Sequence, residues 1–335
     1  MIHSPASTPT VSVVSISYNQ ESFIRDTLDG FVSQEVDFPI EIVIADDAST
    51  DATPSIIRSY AERHPQLFRP ILRTTNVGAH ANLTEALSAA RGEFIALCEG
   101  DDYWTDPRKL SKQVAFLRKN PGLGVCFHPV RVTWSDRSAE DSEFPPLDWR
   151  RDFSVDTLIR RNFIQTNSAM YRRLPRYDDI PPDVMPLDWY LHVRHALHGG
   201  SAMLPDTMGV YRRHPQGMWF DAENNRERFW SKHGRGFAAL VDAMFVLCDG
   251  HRERRASLLA FARWVLGQMA TVPGTEGRTQ VLETVARYPQ LFAGNITQRA
   301  FVVLAVRYQQ IQTARRQMVS LARRRHVVQS ERADR

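Results

Sequence analysis

The sequence predicts an α/β fold: a mostly parallel, nucleotide-binding type of sheet with helices on both faces, followed by a helical C-terminal region. Three observations lead there. Short β-branched runs alternate with segments of helical period through residue 122, and that βαβα order is the mark of a parallel, helix-covered sheet. Acidic residues gather at the ends of two of those runs, at the sheet edge where α/β folds bind ligands. From about Asn224 onward the period is helical to the end of the chain.

Taken in order, Val11–Ser17 reads as a first strand and is followed by the turn-like Tyr18-Asn19-Gln20. Phe23, Ile24, Leu28, Phe31 and Val32 then recur at helical spacing. Ile40–Ala45 is a second strand ending in Asp46-Asp47, with Ser49 or Thr50 as candidate cap for a helix carrying Ile56, Ile57 and Tyr60. Pro70–Arg73 is a third strand, Asn76-Val77-Gly78 a turn, and Ala81–Ala90 a helix closed by Gly92. Phe94–Cys98 is a fourth strand running into Glu99-Gly100-Asp101-Asp102, and Pro107 opens a helix through Leu110, Val114 and Leu117.

Beyond Gly124 the texture changes. Val125–Val132 reads as strand, Trp134–Arg151 as a polar loop, Val155–Arg161 as a short helix, Ser168–Arg172 as a strand, Asp188–His198 as a helix and Val210-Tyr211 as a short strand. Helices are expected near Phe229–Leu247, Arg252–Met269, Gln280–Ala286 and Thr297–Arg325, with Thr271-Val272-Pro273-Gly274 as a break. The expected organisation is a catalytic domain over 1–223, in halves 10–122 and 123–223, and a helical region over 224–335 with a basic tail from about 309.

The 335 residues suffice for one large core plus a smaller addition, and 43% hydrophobic with 24% charged residues is ordinary globular composition. Net charge is +4, with the excess concentrated in the arginines of the tail. Such a tail can meet an anionic surface, but a solvated helix face is the simpler reading, and no nucleic-acid partner is expected. Cys98, Cys126 and Cys248 are odd in number and far apart, which argues against a disulfide framework or zinc site and fits a reducing cytoplasm. Met1–Thr10 lacks the pattern of a signal peptide, and no apolar run approaches the ~20 residues that span a bilayer.

Four constellations carry chemistry. In Glu99-Gly100-Asp101-Asp102, three acids within four residues after a buried strand call for a neutralising charge, and a hard divalent cation would supply it. Asp46-Asp47 exceeds what a helix cap needs. Asp188, opening a helix in Leu187-Asp188-Trp189, would be held ionised by the helix dipole and could serve as a general base. His214, in Tyr211-Arg212-Arg213-His214, follows a strand and could meet a metal or a phosphate. His192, His195 and His198 read as packing residues, and without HExxH a zinc site on that helix is not expected.

These segments resemble glycosyltransferase family 2 over roughly residues 10–220, on Val13-Val14-Ser15-Ile16-Ser17-Tyr18-Asn19, Ile42–Asp51, Asn76-Val77-Gly78 and Gly92–Asp102 in that order. The resemblance implies a GT-A fold, an inverting mechanism, and a Mn²⁺ or Mg²⁺ cofactor. It also implies a nucleoside-diphosphate-sugar donor, with UDP or dTDP the family's usual nucleotide. It puts Tyr18, Asp46 and Asp47 in the nucleoside pocket, Asp101 on the ribose or metal waters, Asp102 and His214 on the metal, and Asp188 as base. Family members often have Asp where this chain has Glu99, a side chain longer by one methylene. Trp104, Asn167 and Trp219 are acceptor-side candidates, the tryptophans because sugar faces pack on indoles.

The alternatives are a sugar nucleotidyltransferase and a non-catalytic relative. The first needs a glycine-rich loop after the first strand, and Ser15–Asn19 has no glycine. The second should have lost an acid, and Asp101, Asp102 and Asp188 remain. The expected acceptor is a glycan, a lipid-linked carrier or a small metabolite. A cytoplasmic enzyme is expected, with peripheral contact at the inner face of the membrane and a homodimer through the C-terminal helices as further expectations.

Overall fold

The computed structural model describes residues 8–217, 219–220, 225–287 and 311. The chain divides into two compact units, Met1–Gly217 and Met218–Arg335. The helix expected over Thr297–Arg325 and the basic tail lie outside the described residues, apart from Ile311.

The first unit is built on a seven-stranded sheet and a four-stranded sheet. The larger sheet begins with β1 (Val11–Ser17), β2 (Ile40–Asp46), β3 (Phe68–Leu72) and β4 (Phe94–Leu97). These pair in parallel in the order β4-β1-β2-β3, and the sheet continues through β9 (Met170–Arg172), β6 (Val125–Phe127) and β10 (Ser201–Met203). Only β9 runs against its neighbours. The β1–β2 register pairs Ser17 with Asp46, so both strands end level and deliver their following turns to one edge. The smaller sheet has the order β5 (Tyr103–Trp104), β11 (Gly209–Arg213), β7 (Val130–Trp134), β8 (Ser142–Phe144).

Strand alternation divides the core. Val11, Val13, Ile42, Ile44, Phe94 and Ala96 pack in one cluster with residues of α1 (Ile24–Val32), α2 (Thr53–Arg63) and α4 (Lys109–Lys119). The intervening Val14, Val43 and Ile95 are buried as well, and α3 (Ala79–Ala89) packs on β1 and β2. Burial on both faces explains why these strands read as continuous apolar runs rather than alternating ones.

Several local expectations change. Ser49 and Thr50 cap no helix: α2 starts at Thr53, with Ala52 in the cap position and Pro54 in the first turn. Gly92 does not close α3, whose C-cap is Ala90; a Cβ at position 92 would lie 2.4 Å from the Ser12 amide nitrogen. The run Val125–Val132 is two strands in different sheets, β6 and β7, parted at His128-Pro129, since proline has no amide to continue a ladder. The loop over Trp134–Arg151 contains β8 and a 3₁₀ turn at Leu147–Trp149. Two further helices, α5 (Val155–Arg160) and α6 (Leu187–Ala196), complete the unit.

The second unit contains α7 (Arg226–Leu247), α8 (Arg255–Met269) and α9 (Gly274–Arg287). Asn225 caps α7, its side chain accepting from the Arg228 amide. Aromatic rings bind α7 to α8, with Trp230 and Trp264 centroids 5.5 Å apart. No helix among the described residues is long and apolar enough to cross a membrane.

Candidate active site

The turn after β4 is forced tight against β1. The Gly100 amide donates to the Ile16 carbonyl at 3.0 Å, and a Cβ there would come within 3.2 Å of that oxygen and 2.4 Å of Gln20 Oε1. From α1, the Thr27 hydroxyl contacts the carbonyls of Gly100 (2.9 Å) and Asp102 (2.6 Å), fixing the turn from beneath.

This turn brings Glu99, Asp101 and Asp102 together, one carboxylate oxygen of each lying within 4.8 Å of the others. Asp102 is fully buried; its Oδ1 accepts from the Arg212 amide at 2.9 Å, and its Oδ2 has no hydrogen-bond partner among the described residues. Burial, then the charges of Asp101 and Glu99, push the Asp102 carboxyl well above the usual range. Burial, then Asp101 and Asp188, push Glu99 up to about 8. His214, at the end of β11, directs Nε2 to Asp101 Oδ2 at 3.1 Å, stands against the Phe23 ring at 4.5 Å, and keeps a buried Nδ1 without a partner among the described residues. Three crowded carboxylates, one buried oxygen without a donor and an adjacent imidazole fit a hard divalent cation.

Asp188 stands in the first turn of α6. Its Oδ2 receives Thr166 Oγ1 at 3.2 Å and Asn162 Nδ2 at 3.5 Å. Burial raises its carboxyl, opposed by the Trp189 amide and by Thr166.

The turn after β2 is different in kind. Asp46 accepts from Ser17 Oγ (3.0 Å), Ser49 Oγ (2.6 Å) and the Ser49 amide (2.9 Å). Asp47 accepts from the amides of Val77 (2.8 Å) and Gly78 (2.9 Å), holding the Asn76-Val77-Gly78 turn, where Gly78 sits at φ +86°. Tyr18 is 49% exposed beside them.

The acceptor-side expectations meet a core. Trp104 is 3% exposed, donates Nε1 to the Asn167 carbonyl at 2.8 Å and packs beneath Lys109 Nζ and Phe31, so its indole has no face left for a sugar. Asn167 is fully buried, with Nδ2 donating to the Val210 carbonyl. Trp219 packs on Phe229 and Phe237 of the second unit. Sequence reasoning missed Thr27, Asn162 and the Arg212 amide, which act through backbone or distant contacts that no local motif encodes.

Known proteins give the same picture. A family model described as Glycosyl transferase family 2 matches residues 12–176. An uncharacterised protein of Mycobacterium tuberculosis is 61% identical over 281 residues, covering 84% of this chain and 81% of its own. Among solved structures, S. aureus TarS 1–349 in complex with UDP-GlcNAc has a TM-score of 0.64 at 19% identity, covering 91% of this chain and 89% of that one. The mannosyltransferase PcManGT from Pyrobaculum calidifontis, in complex with GDP-Man and Mn²⁺, has a TM-score of 0.51 at 22% identity, covering 92% and 87%. At these identities the two structures speak for the fold.

Proposed function

The chain belongs to glycosyltransferase family 2 and is a glycosyltransferase, and we propose that it transfers one sugar from a nucleoside-diphosphate donor to a hydroxyl acceptor by a single metal-dependent, inverting displacement. The observation that carries this reading is the convergence of Glu99, Asp101 and Asp102, with Asp102 Oδ2 buried and without a partner among the described residues.

In the proposed arrangement Asp102 and His214 hold the cation and Asp101 orients the ribose or the metal's waters. A bound Mn²⁺ or Mg²⁺ would neutralise charge on the departing nucleoside diphosphate. Tyr18 packs beside the base. Asp47 contacts base or ribose through the remaining lone pairs of its oxygens, and Asp46 supports the wall of the pocket. Asp188 accepts the proton of the acceptor hydroxyl as that oxygen bonds to the anomeric carbon. The bond from that carbon to the diphosphate breaks on the opposite side, which inverts the centre. The acceptor belongs to the glycan, lipid-linked or small-metabolite hydroxyls, and donors such as the UDP-GlcNAc and GDP-Man held by the two structural neighbours are the first to try.

Calorimetry with UDP, dTDP, GDP and CDP, with and without Mn²⁺, tests the reading on wild type and Asp102→Ala. One diphosphate should bind tightly only with metal, and the variant should lose that dependence. Binding of none of the four, or metal dependence surviving in the variant, would contradict it.

A further inference from the structure

Two histidines on α6 look alike in sequence and are wired oppositely. His195 Nδ1 faces the Leu191 carbonyl at 2.7 Å, which can only accept, so Nδ1 carries the proton and Nε2 accepts from Tyr177 Oη at 3.0 Å. That pairing ends in a structural turn, where Tyr177 Oη takes the Leu174 amide.

His192 is one helical turn after Asp188, and its Nε2 lies 3.8 Å from Asp188 Oδ2. On the other side of the ring, Nδ1 lies 2.7 Å from Tyr171 Oη. Tyr171 and His192 are both fully buried, and the Tyr171 ring stacks on His195 at 4.1 Å and 19°. Two arguments fix the proton. Were Nδ1 the donor, the buried Tyr171 hydroxyl would lose the acceptor it has among the described residues. The Nε2 lone pair would also point at a carboxylate. With Tyr171 donating to Nδ1, both conflicts vanish, and the Nε2–H side of the ring, which also meets the Ile164 backbone, lies 3.8 Å from Asp188 Oδ2. Burial, then the neighbouring His195, holds the His192 ring neutral, its pKa down at about 3, so it can orient the carboxylate without adding a charge.

We infer that Tyr171 and His192 are positioning residues for Asp188: the phenol sets the imidazole tautomer, and the imidazole N–H joins Thr166 and Asn162 in orienting the carboxylate toward the acceptor proton. The 3.8 Å gap is longer than a hydrogen bond, and the inference requires it to close when an acceptor hydroxyl orders Asp188. The inference rests on Asp188 being the base.

The test has two readouts on the full chain. The first is NMR of ¹⁵N-histidine-labelled protein, with the His192 ring assigned by its loss in His192→Phe. The expected spectrum has a protonated Nε2 and bare Nδ1 for His192, beside an opposite tautomer for His195. A protonated Nδ1, or a tautomer mixture, on His192 overturns the inference without touching the role of Asp188.

The second readout is Mn²⁺-supported hydrolysis of UDP-GlcNAc or GDP-mannose, whichever is turned over. His192→Phe should lower kcat about 10-fold with the donor KM unchanged, a part of the roughly 10²–10⁴-fold attached to a general base. Tyr171→Phe, which keeps the ring volume, should lower kcat less, in the same direction. Wild-type kcat in both variants, with Asp188→Asn inactive, overturns the positioning role and leaves the base in place. An active Asp188→Asn overturns both.

Discussion

The acidic turns after β2 and β4 look alike in sequence and behave as opposites in the folded chain. Asp46 and Asp47 are satisfied by Ser17, Ser49 and the amides of Val77 and Gly78, so their charge is used in holding a turn. Half-buried Glu99 and fully buried Asp102 are crowded and raised, and Asp102 keeps an oxygen with no donor among the described residues. A buried carboxyl without partners costs free energy in the unliganded protein, and it persists where a ligand supplies what the fold withholds. On the proposed function the satisfied pair shapes the pocket and the unsatisfied set takes the cation.

Breaking each turn should therefore fail differently. The largest effect is expected for Asp102→Asn: Mn²⁺-supported turnover should fall about 10³-fold, since metal stabilisation of a leaving phosphate is worth several kcal/mol. Its thermal midpoint should hold or rise, because a desolvated carboxyl has become a neutral amide. Asp47→Ala should show the reverse emphasis. Removing the acceptor for two turn amides should cost about 2 kcal/mol in denaturant unfolding, and nucleotide should bind more weakly with or without metal. Thr27→Val should be smallest, losing about 1 kcal/mol for its hydroxyl contacts beneath the β4 turn, with a modest loss of metal affinity. If Asp102→Asn destabilises more than Asp47→Ala, the distinction between the turns is wrong.

What the sequence made legible was what local pattern controls. The strands β1, β2 and β4 and their terminal acids follow from apolar runs ending in carboxylates, and the Leu187-Asp188-Trp189 helix start follows from its own residues. What stayed hidden depended on contacts across the fold. Ser49 looks like a helix cap until β1 brings Asn19 and Ser17 alongside: its hydroxyl accepts from the Asn19 amide and donates to Asp46. Trp104 looks like a sugar platform until Phe31 and Lys109 close on its ring. β10 is three half-buried residues, too short for a period to declare itself. His192 reads as packing because its partner Tyr171 is twenty-one positions away, on the strand β9.

The most direct test of the unsatisfied cluster is proton release on metal binding. Glu99, pushed up to about 8, holds a proton near neutral pH that a bound cation would displace, and burial pushes the Asp102 carboxyl in the same direction. Mn²⁺ would be titrated into the protein, with its preferred nucleoside diphosphate present, in two pH 7 buffers of different protonation enthalpy, and again near pH 9. The account predicts net proton release at pH 7 that shrinks at the higher pH, apparent affinity rising between them, and loss of both in Asp102→Asn. Mn²⁺ binding with no proton release at pH 7, or unchanged binding in Asp102→Asn, would contradict it.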